Sequence, residues 1–294
     1  MFDERRAIFG RVNQDMLNAK QRIGNCNLLF ITLDTLRFDV ADMALKTGKT
    51  PQLARFLPQS GWELRHSPGS FTYAAHQSFF AGFLPTPIGP GPHPRLFAAK
   101  FPGSETTGAE TFVFEAADIV TGLRQIDYHT ICIGGVGFFN KLTPLGSALP
   151  RLFDESHWDE SLGVTDRNST ANQVDLAIER LQLLGPSKKY FLFLNVSALH
   201  QPNCIYLDGA ETDSIETQLA ALQYVDGELA RLLEHCQQSP TMCIITSDHG
   251  TAYGEDGYVG HLRLTSSGME RSDAIGPWLY SNRVASLMEQ YEWS

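Results

Sequence analysis

The ten residues Thr241–Gly250, TMCIITSDHG, join a short run of apolar, β-prone residues to a polar loop that sets Asp248 beside His249. Such a run predicts a buried strand. In open α/β sheets, ligands sit outside the carboxyl ends of the strands. A carboxylate oxygen next to an imidazole nitrogen is half of a site for zinc or manganese. Asp34 follows the apolar run Leu28–Leu33 directly and adds a second carboxylate at a strand end. Either aspartate alone has a plainer use, as a cap for the turn that follows. Their coincidence at strand ends is what argues for a metal.

Other residues with chemical capacity fall on the same predicted edge. Thr72 precedes Ala74–Phe83, which predicts a largely buried helix. A threonine there caps the helix or acts as a nucleophile, because first-turn amides bind an oxyanion. His200 stands just past the predicted strand Tyr190–Val196, and His261 closes the glycine-rich loop Gly254–His261. Arg37 is either a clamp for an anionic substrate or a partner for Asp39. Lys141 lies in the irregular stretch Phe138–Gly163, another candidate to meet substrate. The Gly134-Gly135-Val136-Gly137 run reads as a turn and completes no dinucleotide fingerprint.

The elements that must position these residues alternate. Strands are predicted at Leu28–Leu33, Thr130–Ile133, Tyr190–Val196 and Met242–Ile245. Helices are predicted at Asn168–Leu184 and Asp213–Cys236, the latter with Ile215, Leu219, Leu222, Val225, Leu229 and Leu232 on one face. Thr50-Pro51 signals a further helix start. The alternation predicts an α/β fold with a mostly parallel central sheet sandwiched between helical layers. One domain over residues 1–294 is expected, with an irregular, loop-rich insertion around residues 85–163.

Composition bounds the function. The chain has 294 residues, 43% of them hydrophobic and 19% charged, with 33 acidic against 23 basic residues and a formal charge of −10. That balance argues against a general nucleic-acid-binding surface. An anionic substrate then needs local help from a metal, an arginine or a helix N-terminus. The five cysteines form no CxxC pair, a reduced-compartment pattern. The N-terminal residues contain no apolar leader segment, and the longest apolar runs are too short to cross a bilayer. A cytoplasmic protein without a membrane anchor is expected, acting on a small anionic ester, monomeric or oligomeric.

The segments ITLDTLRFD, TPQLARF, SFTYAAHQSFFAGFLP, YFLFLNVSALHQP, YVDGELARLL and IITSDHG, the last followed by a Gly-His pair, occur in an order and spacing that resemble the alkaline phosphatase/sulfatase superfamily. The resemblance implies that Asp34, Asp248, His249 and the nucleophile Thr72 gather around a metal. It implies further that His200 and His261 serve catalysis; Arg37, His76 and Lys141 stand beside them as candidate substrate-binding residues. Sulfatases mature a Cys or Ser within a Cys-x-Pro-x-Arg pattern. Here that segment reads Thr72-Tyr73-Ala74-Ala75-His76, so sulfate ester hydrolysis by that route is disfavoured. A threonine nucleophile is similar to the phosphodiesterase, phosphonate-ester and phosphoethanolamine-transferase branches. Two-zinc members place an aspartate four residues before a histidine, and Val196 occupies that position before His200. One tight zinc or manganese ion is therefore expected, with a weaker second ion near His200 and His261 as the alternative. The activity implied is a metal-dependent phosphodiesterase or phosphonate monoesterase working through a phosphothreonine. A two-metal phosphomonoesterase or phosphomutase is the first alternative, and a non-catalytic binding protein on the same fold the second.

Overall fold

The apolar runs become the centre of a seven-stranded sheet. The computed structural model describes residues 19–82, 97–98, 112–113, 118–255, 259–260 and 283–287. The sheet strands are β1 (Asn27–Leu33), β2 (Glu63–His66), β3 (His129–Ile133), β4 (Glu155–His157), β5 (Tyr190–Val196), β6 (Thr241–Thr246) and β7 (Arg283–Leu287). Their spatial order is β2-β7-β6-β1-β5-β3-β4. The five strands from β6 to β4 run parallel, and β7 is antiparallel to both its neighbours. β5 is buried along its whole length and β1 at every position but Phe30, because helices cover both faces.

Alternate residues of a strand face opposite sides, and the core divides accordingly. Leu29, Ile31 and Leu33 of β1 pack with Leu192, Leu194 and Val196 of β5 against α4 (Ser169–Leu184) and α5 (Ile215–Cys236). The predicted apolar stripe of α5 lies in this layer. Leu28 with Phe191 and Phe193 packs on the other face, against α2 (Thr72–Ala81) and α3 (Ile119–Gln125). Phe80 and Phe193 meet edge to face at 5.2 Å.

Two local expectations are corrected. Thr50-Pro51 does not open a regular helix. Only a short 3-10 turn, Leu53–Arg55, follows, and the Asp226 carboxylate of α5 accepts from the amides of Gln52 and Leu53 at 3.1 and 2.6 Å. The helix on this side is α1 (Phe38–Lys46). The stretch around 85–163 is not simply irregular either: residues 118–163 supply α3, β3 and β4 to the sheet and its cover. Much of 83–117 lies outside the described residues.

α5 begins with a capping box, in which the Ser214 hydroxyl accepts from the amides of Glu216 and Thr217 while the Thr217 hydroxyl accepts from the Ser214 amide. Ser214→Ala is expected to cost about 0.5–2 kcal/mol. Urea unfolding should show this loss with metal content unchanged, since among the described residues the Ser214 hydroxyl bonds only within its own cap.

Candidate metal centre and active site

Strand register brings the two aspartates level. β1 and β6 are adjacent and parallel, with Thr32 opposite Thr246. Asp34 and Asp248 each lie two residues further on, past the carboxyl ends of the strands. Both are fully buried, as is His249. Their ligating atoms lie within 4.8 Å of one another, the one such group among the described residues. Thr72 is the first residue of α2, which covers this face. Its hydroxyl lies 3.4 Å from Asp34 Oδ2 and 3.2 Å from His249 Nε2.

Each carboxylate has one oxygen held and one oxygen open. Asp34 Oδ2 accepts from Asn195 Nδ2 at 3.0 Å, and Asp248 Oδ1 accepts from the amides of Thr35 (3.2 Å) and His249 (2.9 Å). Asp34 Oδ1 and Asp248 Oδ2 are buried with no hydrogen-bond partner among the described residues. His249 Nδ1 lies 2.9 Å from the Gly250 carbonyl, which takes an N–H and leaves the Nε2 lone pair toward the aspartates. Two partnerless carboxylate oxygens and an imidazole nitrogen, all buried, fit a divalent cation of the zinc or manganese type.

Electrostatics agrees. Burial, with the Asp248 charge next in weight, pushes the Asp34 carboxyl up to about 6. Burial pushes Asp248 up to about 7, against its two backbone hydrogen bonds. Burial also lowers the His249 imidazole. The contacts of His249 Nε2 to Asp248 (3.5 Å) and Asp34 (3.9 Å) are therefore not ion pairs, since the ring stays neutral.

A polar network holds this group in place. Thr32 and Asn195 face each other across β1 and β5, and Asn195 Nδ2 donates to the Thr32 hydroxyl at 3.2 Å. Asn195 Oδ1 accepts from the amides of Gly135 (3.3 Å) and Val136 (3.1 Å) in the turn after β3. Gly135 must be glycine there, because a Cβ would lie 2.4 Å from the Asn195 carbonyl. Thr35 takes a left-handed conformation (φ 62°), unusual for a β-branched residue. Gln218 of α5 holds it by donating to its carbonyl at 3.0 Å, while the Thr35 hydroxyl donates to Leu199 at 2.9 Å. Neither Asn195 nor Thr35 stood out in the sequence. The available signal was a polar residue, Asn195, within the apolar run YFLFLNV.

Of the other expected site residues, His200 lines a cavity together with Thr72. Three others are engaged by partners within the protein. The His76 ring is fully buried, with Nδ1 2.7 Å from the Thr72 carbonyl and Nε2 3.1 Å from the Thr32 hydroxyl. Burial lowers it to about 3, so it is a neutral support for α2 and makes no ion pair with Asp248, 3.8 Å away. Arg37 is buried and takes up both oxygens of Asp39 (2.9 and 2.6 Å), Glu255 and the Thr251 carbonyl (3.3 Å), which is the partner reading and not the clamp. Lys141 donates to the Ser156 carbonyl at 2.6 Å and is not part of the cavity wall. His261 lies outside the described residues. At the start of α2, the Ala75 amide is spent on the Phe71 carbonyl (3.1 Å), so anion-binding donors must come from earlier in the turn.

A largely parallel sheet with two carboxylates, an imidazole and a helix-terminal threonine at its carboxyl edge is an α/β fold of the alkaline phosphatase type. Residues 26–275 match the model of the Sulfatase family, and the chain belongs to that family. Members of this superfamily are generally enzymes acting on phosphate or sulfate esters. No curated protein matches the chain. Among solved structures, the periplasmic domain of phosphoethanolamine transferase EptC from Campylobacter jejuni is similar, with 16% identity and a TM-score of 0.56 over 89% of this chain and 78% of that one. The lipoteichoic acid synthase LtaP from Listeria monocytogenes has 14% identity and a TM-score of 0.56 over 92% and 66%. The periplasmic domain of EcEptC from Escherichia coli, in a complex with zinc, has 11% identity and a TM-score of 0.54 over 90% and 73%. At such identities the likeness is one of fold. Two of these neighbours are periplasmic domains, so they do not support the expected cytoplasmic setting. Among the described residues no helix is long and apolar enough to cross a membrane.

Two outcomes follow from the aspartates. Each carboxyl holds its proton more tightly folded than unfolded, so the metal-free protein loses stability from these groups as pH rises from about 4 through about 6 and about 7. A bound cation keeps both ionised, so the gap in melting temperature between metal-loaded and metal-free protein should widen over that window. A constant gap speaks against this ligand set. Asn195→Ala should weaken metal binding roughly 10–100-fold, measured by competition with a chromophoric chelator.

Proposed function

We propose that this protein is a metal-dependent phosphoric ester hydrolase or transferase that uses Thr72 as its nucleophile, with phosphodiesters or phosphonate monoesters preferred. The observation that carries the reading is the Thr72 hydroxyl within 3.4 Å of a buried carboxylate–imidazole group, two of whose oxygens have no hydrogen-bond partner among the described residues. Asp34, Asp248 and His249 would hold the cation, zinc or manganese, with Thr72 beside it. When bound, the cation supplies Lewis acidity that lowers the pKa of a nearby hydroxyl and offsets charge on phosphoryl oxygens.

The residues of the chain do the rest. Thr72 Oγ1 attacks phosphorus in line and forms a phosphothreonine, its hydrogen bond to Asp34 giving the proton a direction. First-turn amides of α2 face the equatorial oxygens, and one such donor is typically worth about 3–4 kcal/mol in the transition state. His200, or His261, protonates the leaving oxygen. Water or an acceptor alcohol then releases the phosphoryl group from Thr72. The transferase activity named for one structural neighbour supports the second outcome. Val196 stands where a second-site carboxylate would be needed, and a single cation suits a singly charged diester better than a monoester dianion. α2 presents the Thr72 hydroxyl 3.2 Å from His249 Nε2, which supports turnover over passive binding.

Protein purified without added metal should carry close to one ion per chain, and Asp248→Ala should lose it. Thr72→Ala should keep the ion and lose turnover by at least about a thousandfold, a loss of ~4 kcal/mol. Acid quench of the working enzyme should place phosphate on Thr72. In a panel of aryl phosphate, phosphodiester, phosphonate and sulfate with either metal, faster turnover of the phosphate favours a two-metal phosphatase. Faster turnover of the sulfate rejects the threonine mechanism.

A further inference from the structure

A cavity of about 380 Å³ opens beside Thr72 and His200. Ligand pockets run from about 300 to 1,000 Å³, so it has room for one modest organic group. Besides Thr72 and His200, its lining side chains among the described residues are Phe71, Val136, Phe138, Leu145 and Val164, with Thr143 as the one added hydroxyl. That hydroxyl already accepts from the Gly146 amide at 3.0 Å. No Asp, Glu, Lys or Arg among the described residues lines the cavity. The Phe71 and Phe138 rings lie 6.2 Å apart and the Tyr73 ring backs Phe138 at 5.6 Å, which fixes the aromatic side. Phe71 is nonetheless 42% exposed, a large apolar side chain turned to solvent at the start of the catalytic helix.

This is a poor match for a sugar, whose hydroxyls need partners, and for a cationic headgroup, because no carboxylate among the described residues lines the cavity. An apolar group would cover Phe71 and the apolar side chains beside it. We propose that the cavity binds an apolar organic group, an alkyl chain or aryl ring, carried on the phosphorus of the ester. The proposal rests on the reading of Thr72 as nucleophile, because Thr72 places the phosphorus at the cavity's inner end. The turn that supplies Val136 and Phe138 is the one tied through Asn195 to Asp34, so the apolar wall and the candidate metal ligand share one support.

The test holds the leaving group constant. The metal-loaded full chain is given 4-nitrophenyl esters of methyl-, butyl- and hexylphosphonic acid. The value of kcat/KM should rise with chain length, by up to about fourfold per methylene, until the cavity is filled. Phe138→Ala and Leu145→Ala should flatten that rise, whereas Leu183→Ala, on the exposed side of α4, should leave it unchanged. If the variants do not fold, the wild-type series decides, and equal rates along it overturn the proposal while leaving the threonine mechanism standing. Binding separates the two claims. Calorimetry with methyl- and hexylphosphonic acid needs no turnover. Tighter binding of the hexyl compound supports the apolar cavity even if every ester proves inert, an outcome that rejects only the catalytic reading. Equal affinities, or no binding of either, overturn the cavity assignment.

Discussion

Two fully buried carboxylates side by side, each with one oxygen that no described hydrogen bond satisfies, are the constraint on which the rest of this structure depends. Burying one unpaired charge is costly, and burying two like charges together is worse. The chain reduces that cost in part. It gives each carboxylate hydrogen bonds at one oxygen and lets burial raise both acids toward neutrality. The remaining oxygens are left for a cation. Such an arrangement destabilises the empty fold near neutral pH, and a cation held there would stabilise it, linking its binding to stability.

Keeping two like charges at fixed separation requires rigid supports on every side. Parallel register fixes the backbone heights of Asp34 and Asp248, since both strands end level. Asn195 ties Asp34 to the turn after β3, and Gln218 holds the left-handed Thr35 whose amide meets Asp248. His76 and Thr32 fasten the first turn of α2 to β1, which sets the Thr72 hydroxyl. Gly69 allows the preceding loop to lie on that turn, where a Cβ would come within 2.6 Å of the Ala75 amide. These supports are uncharged, so they order the site without adding charges that would compete for the cation.

Residue type alone does not assign roles here, and packing makes the difference. Arg37 and His76 look like anion-binding groups in a linear sequence. Arg37 is consumed by Asp39 and Glu255, and its guanidinium also lies 5.9 Å from the Tyr253 ring centre. His76 is enclosed by Phe79, Phe139 and Phe193, which keep it neutral. Conversely, Asn195 reads as a blemish in a buried strand and proves to be the link between one candidate ligand and the cavity wall.

The sequence by itself determined the four strands β1, β3, β5 and β6, the main amphipathic helices and the positions of Asp34, Thr72, Asp248 and His249 at element ends. Those features are local: apolar runs, helical periodicity and polar residues that stop them are read within a few neighbouring positions. Tertiary structure decided which buried polar groups support the site and which meet solvent, the use of the Gln52 and Leu53 amides by Asp226, and the place of residues 118–163 in the sheet. Each of these depends on partners far apart in the chain, such as Asn195 with Asp34 or Gln218 with Thr35. No local pattern records such pairs, because the free energy that selects them comes from burying both partners together.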